Sequence, residues 1–453
     1  MDSHSEPKKA GQFAKGTFTT FTASIIIFFL GIGSSVTIAR VLGPEGKGIY
    51  VLAALLPSLI VTFGNLGIGP ATAYYAARGE FPRKLILGNN IFLSIVISSI
   101  GLVAGLIMII FFRQSLFQGV AARYLYLTLT FIPVQIFSSY VRYVLLGIQR
   151  IKEFNFIQLM QAVFFLGFVA VALLVLKTAV TGTIIACLLS WLFVDLILLR
   201  KTMGIVGGVD LSINKSYIRH SVTYGIQAHL ANILGFLNYR IDMLLVNGFV
   251  GAAAVGTYSV AVGIVEKIWI VSQAASTVLF PKVAAESDEE RRKEFTPLVA
   301  RTVLVVTALT AAVLAVFSRW IVLTLYSDAY LPSVRALQVL LFGVVAMSAG
   351  RVFSNDISGR GFPGLNVYIA VAAVAVNVVL NILWIPKYGI VGAAWASTVS
   401  YTASSIGALF IYCRLSDNRL IKIFLPQKSD WALYRKTTKY LIRWILDKVR
   451  TPR

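Results

Sequence analysis

The sequence predicts an all-α integral membrane protein with about 12 transmembrane helices, arranged as two six-helix bundles related by a pseudo-twofold axis along the membrane normal. Three observations support this fold class: the lengths of the apolar segments, the distribution of Lys and Arg between the connections, and an internal repeat. Hydrophobic residues make up 57% and charged residues 13% of the chain, against roughly 45–50% and 25% in a soluble domain. The composition alone therefore indicates a protein that works within a bilayer.

The apolar segments have the length that a membrane span requires. About 20 apolar residues at a rise of 1.5 Å per residue cross the ~30 Å hydrocarbon core. The predicted helices cover residues 17–39, 48–76, 85–112, 123–147, 154–176, 179–199, 218–247, 255–280, 297–318, 331–356, 363–385 and 389–413. The first follows a polar leader and is longer than the apolar core of a signal peptide. We therefore expect it to remain as a signal-anchor helix.

The connections between these helices carry an asymmetric charge. With the N-terminus in the cytoplasm, the inner connections hold about twice as many Lys and Arg residues as the outer ones, among which Lys47 is counted. This bias predicts a multi-pass protein of the cytoplasmic (inner) membrane with both termini in the cytoplasm. It also accounts for the net charge of +22, from 41 basic and 19 acidic residues. We expect no nucleic-acid partner, because no basic face with interleaved aromatic residues lies outside the spans except in the C-terminal tail.

Two pairs of segments indicate an internal repeat. Residues 41–50 are matched by residues 249–258 at an offset of 208, and residues 180–186 by residues 390–396 at an offset of 210. A six-helix unit repeated once explains both offsets, and two such units enter the membrane from the same side with a cavity between them. The predicted domains are a cytoplasmic leader (1–16), an N-terminal lobe (17–201), a cytoplasmic linker (202–217), a C-terminal lobe (218–414) and a cytoplasmic tail (415–453).

The sequence offers little support for a metal site, a cofactor or enzymatic chemistry. Cys187 and Cys413 lie singly in apolar spans, and the three His residues are scattered along the chain. A Gly-rich phosphate loop ending in Lys-Ser or Lys-Thr is absent from the sequence, so ATP-driven transport by this chain alone is excluded. A membrane glycosyltransferase or polymerase would need a cluster of acids, bases or metal ligands on a loop, and the short loops contain no such cluster.

Polar residues within the spans are the candidates for a site, because an ionised side chain at mid-bilayer costs roughly 2.5–3.5 kcal/mol and so faces a cavity or a partner. On helix 218–247, five of them share a sector of about 60° at 100° per residue, and they are His220, Tyr224, Gln227, Asn238 and Asp242. Arg240 points to the opposite side. Glu266 and Gln273 form a weaker stripe on the next helix. We interpret both stripes as the wall of a hydrated cavity; the alternative is polar packing between helices.

Two carboxylates are the candidates for coupling transport to an ion or a proton. Asp242 and Glu266 can titrate near neutral pH if they lie in a partly dry cavity. The alternative is a buried ion pair with Lys267, Arg142 or Arg351 that only fixes the helix packing.

Three parts of the sequence resemble polysaccharide biosynthesis flippases of the multidrug, oligosaccharidyl-lipid and polysaccharide exporter superfamily. They are residues 39–48, residues 239–245 leading to 255–258, and residues 377–381 followed by 385–394. The resemblance covers roughly residues 10–415. It implies two six-helix lobes that move undecaprenyl-pyrophosphate-linked sugars across the membrane by alternating access, for O-antigen, capsule or exopolysaccharide synthesis. The implied partners are the lipid-linked oligosaccharide and, beyond it, a polysaccharide polymerase and glycosyltransferases.

The resemblance leaves one alternative within the superfamily, an ion-coupled multidrug or cation exporter. The multidrug branch often carries an acidic residue in its first helix, whereas residues 16–39 contain none. The lipid II branch typically has fourteen helices, whereas no apolar span follows Cys413. Both departures favour the oligosaccharide branch.

A pyrophosphate-linked substrate would need positive charge along its path, and guanidinium groups suit phosphate contacts. Four arginines lie within or near spans, and Arg240 and Arg351 are the first candidates, ahead of Arg142 and Arg301. The alternative is snorkelling to the headgroups, above all for Arg301 and then for Arg142. The tail from Asp430 onward interleaves aromatic and aliphatic residues with Lys and Arg. It predicts a basic amphipathic helix on the anionic inner leaflet; a disordered basic tail is the alternative.

Overall fold

The computed structural model describes the chain at residues 6–286 and 288–418 and at the single positions 420, 423 and 435. The side chains of residues 6–19, 21, 227–228, 277–278, 280–282 and 284–285 are outside that description. Most of the predicted tail and the first residues of the predicted leader therefore lie outside the described residues. Within the described part the chain is helical and contains no strand.

The described residues form thirteen α-helices. They are α1 (Glu6–Gly64), α2 (Ile68–Arg78), α3 (Arg83–Leu116), α4 (Ala122–Leu129), α5 (Phe131–Gly147), α6 (Ile151–Ala170), α7 (Ala179–Val206), α8 (Lys215–Phe249), α9 (Ala252–Val265), α10 (Trp269–Ala285), α11 (Glu289–Leu325), α12 (Ser333–Gly359) and α13 (Pro363–Ser416). A π-helical turn (Val171–Val175) extends α6, and a 3₁₀ turn (Glu266–Ile268) joins α9 to α10.

The all-α membrane class is confirmed. Nine helices in the described part of the chain are long and apolar enough to span a bilayer. Two of them, with 43 and 54 residues, are longer than one span: Thr22–Gly64 covers most of the predicted span 17–39 and the first part of 48–76, and Pro363–Ser416 contains both 363–385 and 389–413. The predicted helix over 218–247 corresponds to α8, which is more polar. Together these helices account for the predicted spans.

The two longest helices are kinked where the sequence predicts connections. α1 bends at Gly43, whose φ is 66°, immediately before Pro44, and α13 bends at Gly389, whose φ is 57°, shortly after Pro386. Glycine adopts a positive φ without steric cost, and proline removes a helical hydrogen bond, so the two together interrupt a helix without ending it. The predicted connections therefore appear as kinks.

The predicted helix over 48–76 is divided. Its first part ends α1 at Gly64, and its second part is α2, which begins after Gly67 at a φ of 66°. Leu66, with a φ of 49°, also has a left-handed backbone conformation. The apolar run is continuous across this break, so hydropathy alone does not locate it.

The chain divides into two compact units. Unit one contains residues 1–267, 316–340 and 374–397. One of its cores lies between α2, α3, α5 and α7, around Ala71, Ile86, Val141 and Val194. Another joins the first limb of α1 to α9 and to the end of α11 through Ala39, Val260 and Val322.

Unit two contains residues 268–315, 341–373 and 398–453. Its core holds Leu279 of α10, Ala300 of α11, Phe353 of α12 and Tyr412 of α13. The rings of Phe353 and Tyr412 lie 5.1 Å apart. An aliphatic and aromatic core of this kind fixes the four helix segments against each other.

Candidate functional site

A cavity of about 470 Å³ lies within unit one. Its wall comes from both limbs of α1, from α6, α8 and α9, and from the 3₁₀ turn that follows α9. Its polar wall residues are Ser34, Ser35, Lys47, Tyr50, Ser58, Arg240, Ser259 and Glu266. Two of these are cations and one is an anion, so the wall carries a net positive charge.

Arg240 and Glu266 form an ion pair across the cavity wall. Arg240 Nη1 donates to Glu266 Oε1 at 2.7 Å, and Nη2 donates to Oε2 at 3.2 Å. The two side chains remain 29% and 24% exposed. This two-bond geometry is the strongest pairing that a guanidinium makes with a carboxylate. The 3₁₀ turn that follows α9 positions Glu266, and the third-last turn of α8 positions Arg240.

The sequence does not predict this partner. Lys267, Arg142 and Arg351 are the possible partners that it offers for the two carboxylates, whereas the structure pairs Glu266 with Arg240. The two residues lie on different helical segments, 26 positions apart in the chain. Angular positions on a single helix give no information about such a contact.

Lys47 is buried in the same wall, with 4% of its surface exposed. Its Nζ donates to Ser35 Oγ at 3.2 Å and lies 5.0 Å from the centre of the Tyr326 ring. In the described part of the chain Lys47 forms no ion pair. The bend at Gly43 brings the second limb of α1 back against the first, which is how Lys47 reaches Ser35.

The prediction that Lys47 lies in an outer connection is wrong, because its side chain is buried in the cavity wall. Counting the Lys and Arg residues of the connections treats every cation between two apolar segments as exposed. Such a count does not show which of these cations the kinked backbone directs into the protein.

Asp242 lies on α8 behind the cavity wall, with 1% of its surface exposed. Tyr258 Oη donates to Asp242 Oδ2 at 2.7 Å, and Ser397 Oγ donates to the same oxygen at 3.3 Å. The backbone N–H of Met243 donates to Oδ1 at 2.7 Å. Asp242 is not among the residues that line this cavity, whereas Arg240 is. The two therefore occupy different faces of α8, as their spacing predicts.

A row of buried amides continues from this carboxylate along α13. Asn377 Nδ2 donates to Ser397 Oγ at 3.5 Å, and Asn381 Nδ2 donates to Asn377 Oδ1 at 2.8 Å. Both asparagines are fully buried. In the sequence, residues 377–381 are notable only for their resemblance to a family. Their spacing of four residues within an apolar span is the signal that would have identified them.

The remaining residues of the predicted stripe on α8 have separate surroundings. His220 is exposed, and its Nδ1 lies 2.7 Å from the Ser216 carbonyl oxygen. Tyr224 stacks on Tyr74 with ring centres 4.8 Å apart. Asn238 is buried, and the side chain of Gln227 lies outside the described residues. The stripe thus has an exposed part near the start of α8 and a buried part near its end.

The other predicted site residues do not line this cavity. Arg351 lies in unit two, where its guanidinium stacks 4.3 Å from the centre of the Trp269 ring. Gln273 is exposed in the same unit. Arg142 lies in unit one on α5, with its guanidinium 6.0 Å from the centre of the Trp191 ring.

Comparison with known sequences gives the family. A family model described as polysaccharide biosynthesis protein matches residues 37–335. The probable low-salt glycan biosynthesis flippase Agl15 of Haloferax volcanii is 23% identical over 405 residues, which cover 87% of this chain and 82% of that protein. The uncharacterized membrane protein MJ1068 of Methanocaldococcus jannaschii is 25% identical over 213 residues, which cover 46% of this chain and only 42% of that protein.

Comparison with solved structures gives the fold. The inward closed conformation of the lipid II flippase MurJ has a TM-score of 0.72 at 15% identity and covers 95% of this chain and 98% of that one. An inward-facing multidrug resistance MATE family transporter of the MOP superfamily has a TM-score of 0.70 at 15% identity, and the match covers 86% of this chain and 94% of that one. These structures are named as a flippase and a transporter rather than as enzymes. This chain is therefore a multi-pass membrane protein with the MurJ and MATE fold, and it belongs to the polysaccharide biosynthesis protein family.

Proposed function

We propose that this protein is a flippase that carries an undecaprenyl-pyrophosphate-linked oligosaccharide across the cytoplasmic membrane for polysaccharide synthesis. The observation on which the proposal depends is the positively charged cavity, in which buried Lys47 has no acidic partner among the described residues. Membership of the polysaccharide biosynthesis protein family and the similarity to Agl15, a probable low-salt glycan biosynthesis flippase, support it. Both termini would lie in the cytoplasm.

Lys47 and Arg240 would bind the pyrophosphate. A phosphate that leaves water needs charge-assisted hydrogen bonds to replace its hydration. Lys47 donates one of its three N–H groups to Ser35, so two remain for phosphate oxygens. Serine hydroxyls in the same wall offer further contacts. The cavity volume of about 470 Å³ lies within the ~300–1,000 Å³ typical of ligand pockets.

The ion pair gives substrate binding a way to change the protein. A phosphate that contacts Arg240 competes with Glu266 for the same guanidinium. If the pair opens, α8 and the turn after α9 lose a direct link, and a ligand that does this favours a different conformation. The wall contains residues from 17–201 and from 218–414, the two proposed lobes. Both members of the pair belong to the C-terminal lobe, so opening it would change the part of the wall that this lobe contributes, opposite residues of the N-terminal lobe.

Asp242 is the coupling group in this proposal. Its carboxylate is buried and accepts hydrogen bonds from the hydroxyls of Tyr258 and Ser397. Ser397 in turn accepts a hydrogen bond from Asn377, whose side-chain oxygen accepts one from Asn381. Oxygen ligands of this kind suit a proton or a small monovalent cation. Glu266 is the weaker candidate because Arg240 already neutralises it.

An exporter of cationic drugs with the same fold is disfavoured. Its cavity should attract cations, whereas this wall holds two cations and one anion. The reaction that supplies the proposed substrate would be glycosyl transfer onto the lipid carrier, and the reaction that consumes it would be polymerisation. We propose the enzymes of these two steps as the functional partners.

Transport by the purified full chain tests the proposal. The protein is reconstituted in liposomes with a fluorescent undecaprenyl-pyrophosphate disaccharide, and transfer is followed by the accessibility of the sugar to an external glycosidase. Lys47→Met should slow transfer by at least about tenfold, because losing a charged hydrogen bond costs roughly 1.5–3 kcal/mol. Lys201→Met, which removes an exposed Lys from α7, is the matched control and should transfer at the wild-type rate.

Two outcomes would overturn the proposal. One is equal transfer by wild-type protein and empty liposomes. The other is efflux of cationic dyes at rates well above those for the lipid-linked sugar. An unaltered rate in Lys47→Met would remove the assignment of the phosphate site and leave the transport activity standing. Elution of every variant as a single symmetric peak shows that it is folded.

A further inference from the structure

An aromatic cluster joins the end of α2 to the start of α8 in unit one. The ring of Tyr224 on α8 stacks on that of Tyr74 on α2, with ring centres 4.8 Å apart and planes at 20°. His220 lies one turn before Tyr224 on the same helix. Both α8 residues are exposed, and Tyr224 keeps 38% of its surface open. We call Tyr74, His220 and Tyr224 the aromatic platform.

The aromatic platform rests on rings that are more deeply buried. Tyr75 is 8% exposed, and its ring centre lies 6.1 Å from that of Tyr224 and 6.0 Å from that of His220, edge to face with both. Phe81 and Tyr217 pack on Tyr75 in turn, at 5.9 Å and 6.5 Å. Such contacts fix the orientation of a ring. The exposed rings are therefore held in place before a ligand arrives, which lowers the entropic cost of binding.

His220 and Tyr224 also carry hydrogen-bonding groups that the protein leaves unused. The Nδ1 atom of His220 lies 2.7 Å from the carbonyl oxygen of Ser216. A carbonyl oxygen only accepts, so Nδ1 carries the proton and Nε2 of the neutral ring is an acceptor. Neither this Nε2 nor the Tyr224 hydroxyl has a hydrogen-bond partner in the described part of the chain. The aromatic platform thus offers an acceptor and a hydroxyl beside an open ring.

A paired cation borders the aromatic platform. The guanidinium of Arg78 lies 5.2 Å from the centre of the Tyr74 ring and donates to the Tyr74 hydroxyl. Its Nε also donates to Glu80 Oε1 at 2.8 Å, and the two charged side chains remain 57% and 39% exposed. Because Glu80 matches the charge of Arg78, this pair presents donors and acceptors to a ligand without favouring an anion.

We propose that the aromatic platform binds a neutral pyranose ring of the glycan before the substrate enters the cavity. Tyr74 covers one face of Tyr224, and the C–H face of the sugar packs on the other, whose π-electrons attract C–H groups. One sugar hydroxyl donates to His220 Nε2, and others exchange hydrogen bonds with the Tyr224 hydroxyl. This inference rests on the proposed function, because the occupant is the glycan of the proposed substrate.

The position of the aromatic platform makes it a first contact that is separate from the phosphate site. Tyr224 precedes Arg240 by 16 residues of α8, which corresponds to about 24 Å along the helix axis. A pyrophosphate bonded directly to a sugar on Tyr224 therefore does not reach Arg240. Arg83 and Lys84 begin α3, in the connection that follows α2 and is predicted to face the cytoplasm. The glycan would meet the aromatic platform on the side where it is assembled.

Other occupants fit the aromatic platform less well. Tyrosines at the ends of spans often lie in the headgroup layer, but such an anchor needs neither a second stacked ring nor an imidazole acceptor. A nucleotide base also stacks on a ring, but its phosphates would have to break the pair of Arg78 and Glu80 to gain a contact there. A neutral sugar uses the open ring, the acceptor and the hydroxyl without breaking a contact between the described residues.

Saturation-transfer NMR of free sugars with the full chain tests the proposal. The protein is held in nanodiscs, because maltoside detergents themselves carry a sugar. The probes are cellobiose, lactose, N,N′-diacetylchitobiose and the acidic cellobiouronic acid. At least one of the three neutral disaccharides should receive saturation, most strongly at the C–H groups of one ring face. Cellobiouronic acid should bind more weakly than cellobiose.

Three variants separate stacking from other contributions. Tyr224→Ala should weaken binding of that neutral disaccharide at least about fivefold, as expected from the loss of an aromatic stack. Tyr224→Phe keeps the ring and should retain most of the affinity. Tyr126→Ala removes another exposed tyrosine of unit one and should bind the sugar as the wild type does. Should Tyr224→Ala fail to fold, His220→Ala takes its place and should weaken binding severalfold through the loss of the acceptor.

Three results would contradict this assignment: no saturation of any neutral probe, tighter binding of cellobiouronic acid than of cellobiose, and undiminished binding by Tyr224→Ala. In liposomes, Tyr224→Ala should raise the KM for the lipid-linked disaccharide about fivefold and leave the maximal rate unchanged. The two proposals fail separately. Sugar binding without transfer would contradict the flippase activity alone, whereas transfer without sugar binding would contradict the aromatic platform alone.

Discussion

Gly48 of α1 and Gly256 of α9 pack backbone against backbone. A Cβ atom on Gly48 would lie 1.7 Å from the Ala252 carbonyl oxygen, and one on Gly256 would lie 1.8 Å from the Pro44 carbonyl oxygen. Both members of each pair, 48 with 256 and 44 with 252, are 208 positions apart, the offset of the sequence repeat. A reciprocal contact of this kind is what a twofold relation between two similar units produces. It supports the proposed pair of six-helix lobes.

Backbone conformations at the repeated positions add to this support. Gly43 and Gly251, 208 positions apart, have φ angles of 66° and 107°. Ala179 and Gly389, 210 positions apart, have φ angles of 51° and 57°. The second pair matters more, because alanine rarely adopts a left-handed conformation.

The Gly48 contact leads to a prediction about stability. Gly256→Ala places a methyl group inside the van der Waals radius of a carbonyl, so α1 and α9 must separate. Such overpacking costs roughly 1–3 kcal/mol or more, and thermal unfolding of the purified variant should occur several degrees lower. Gly167→Ala on α6 is the control, since a Cβ there meets no atom within 4 Å. It should match or slightly exceed wild-type stability, and equal melting temperatures for both variants would contradict the close approach.

The Arg240–Glu266 pair leads to a prediction about charge exchange. Arg240→Glu and Glu266→Arg each leave two like charges in the cavity wall and should lower stability. The double exchange restores opposite charges and should recover about 1 kcal/mol or more of the summed losses. Transport should remain low in the double variant, because the cation that is proposed to contact phosphate has moved from α8 to the turn after α9.

Thermal unfolding and liposome transfer of the four proteins measure the two effects separately. Additive losses of stability would show that the pair contributes no coupling energy. Full transport by the double variant would show that the position of the cation is unimportant, and would contradict the phosphate role of Arg240.

The sequence predicts the helices well, because they follow from local hydropathy and periodicity. It places Arg240 and Asp242 on opposite sides of α8, but it assigns the cavity wall to the stripe that contains Asp242, whereas in the structure Arg240 lines this cavity and Asp242 is buried behind its wall. It does not predict that Lys47 is buried, since that depends on the φ of Gly43 and on which limb of α1 the bend approaches. Contacts between separate helices, such as Glu266 with Arg240 or Ser397 with Asp242, need the tertiary arrangement.

Asp242 leads to a prediction about coupling. Asp242→Asn keeps the shape of the side chain, so the protein should insert and fold, while the group that binds the proposed proton or cation is lost. Transport of the lipid-linked sugar should fall to background and lose its dependence on the ion gradient. Tyr258→Phe is the matched comparison, because it removes the 2.7 Å hydrogen bond and leaves the carboxylate in place. It should retain ion dependence at a reduced rate. Normal export by Asp242→Asn would contradict the coupling role.

Asp356 in unit two leads to a prediction about stability alone. Its carboxylate is fully buried, accepts a 2.6 Å hydrogen bond from Thr296 Oγ1 and is bonded by Arg360. Arg360 in turn donates to Glu289 at 2.6 Å, at the start of α11. The cluster ties the end of α12 to α11. Asp356→Asn removes the buried carboxylate and leaves the guanidinium with only the exposed Glu289 as a partner, and breaking a buried pair costs roughly 3–5 kcal/mol.

Glu289, the exposed partner of Arg360, should contribute much less to stability than Asp356 does. Glu289 is 42% exposed, and exposed pairs contribute roughly 0–1 kcal/mol. The melting temperature of Asp356→Asn should therefore be far below that of Glu289→Gln, which should melt close to the wild type. Transport per folded molecule should be unchanged in both, because neither residue lines the cavity. If the two variants were equally destabilised, the surface pair rather than the buried carboxylate would be what holds α12 to α11.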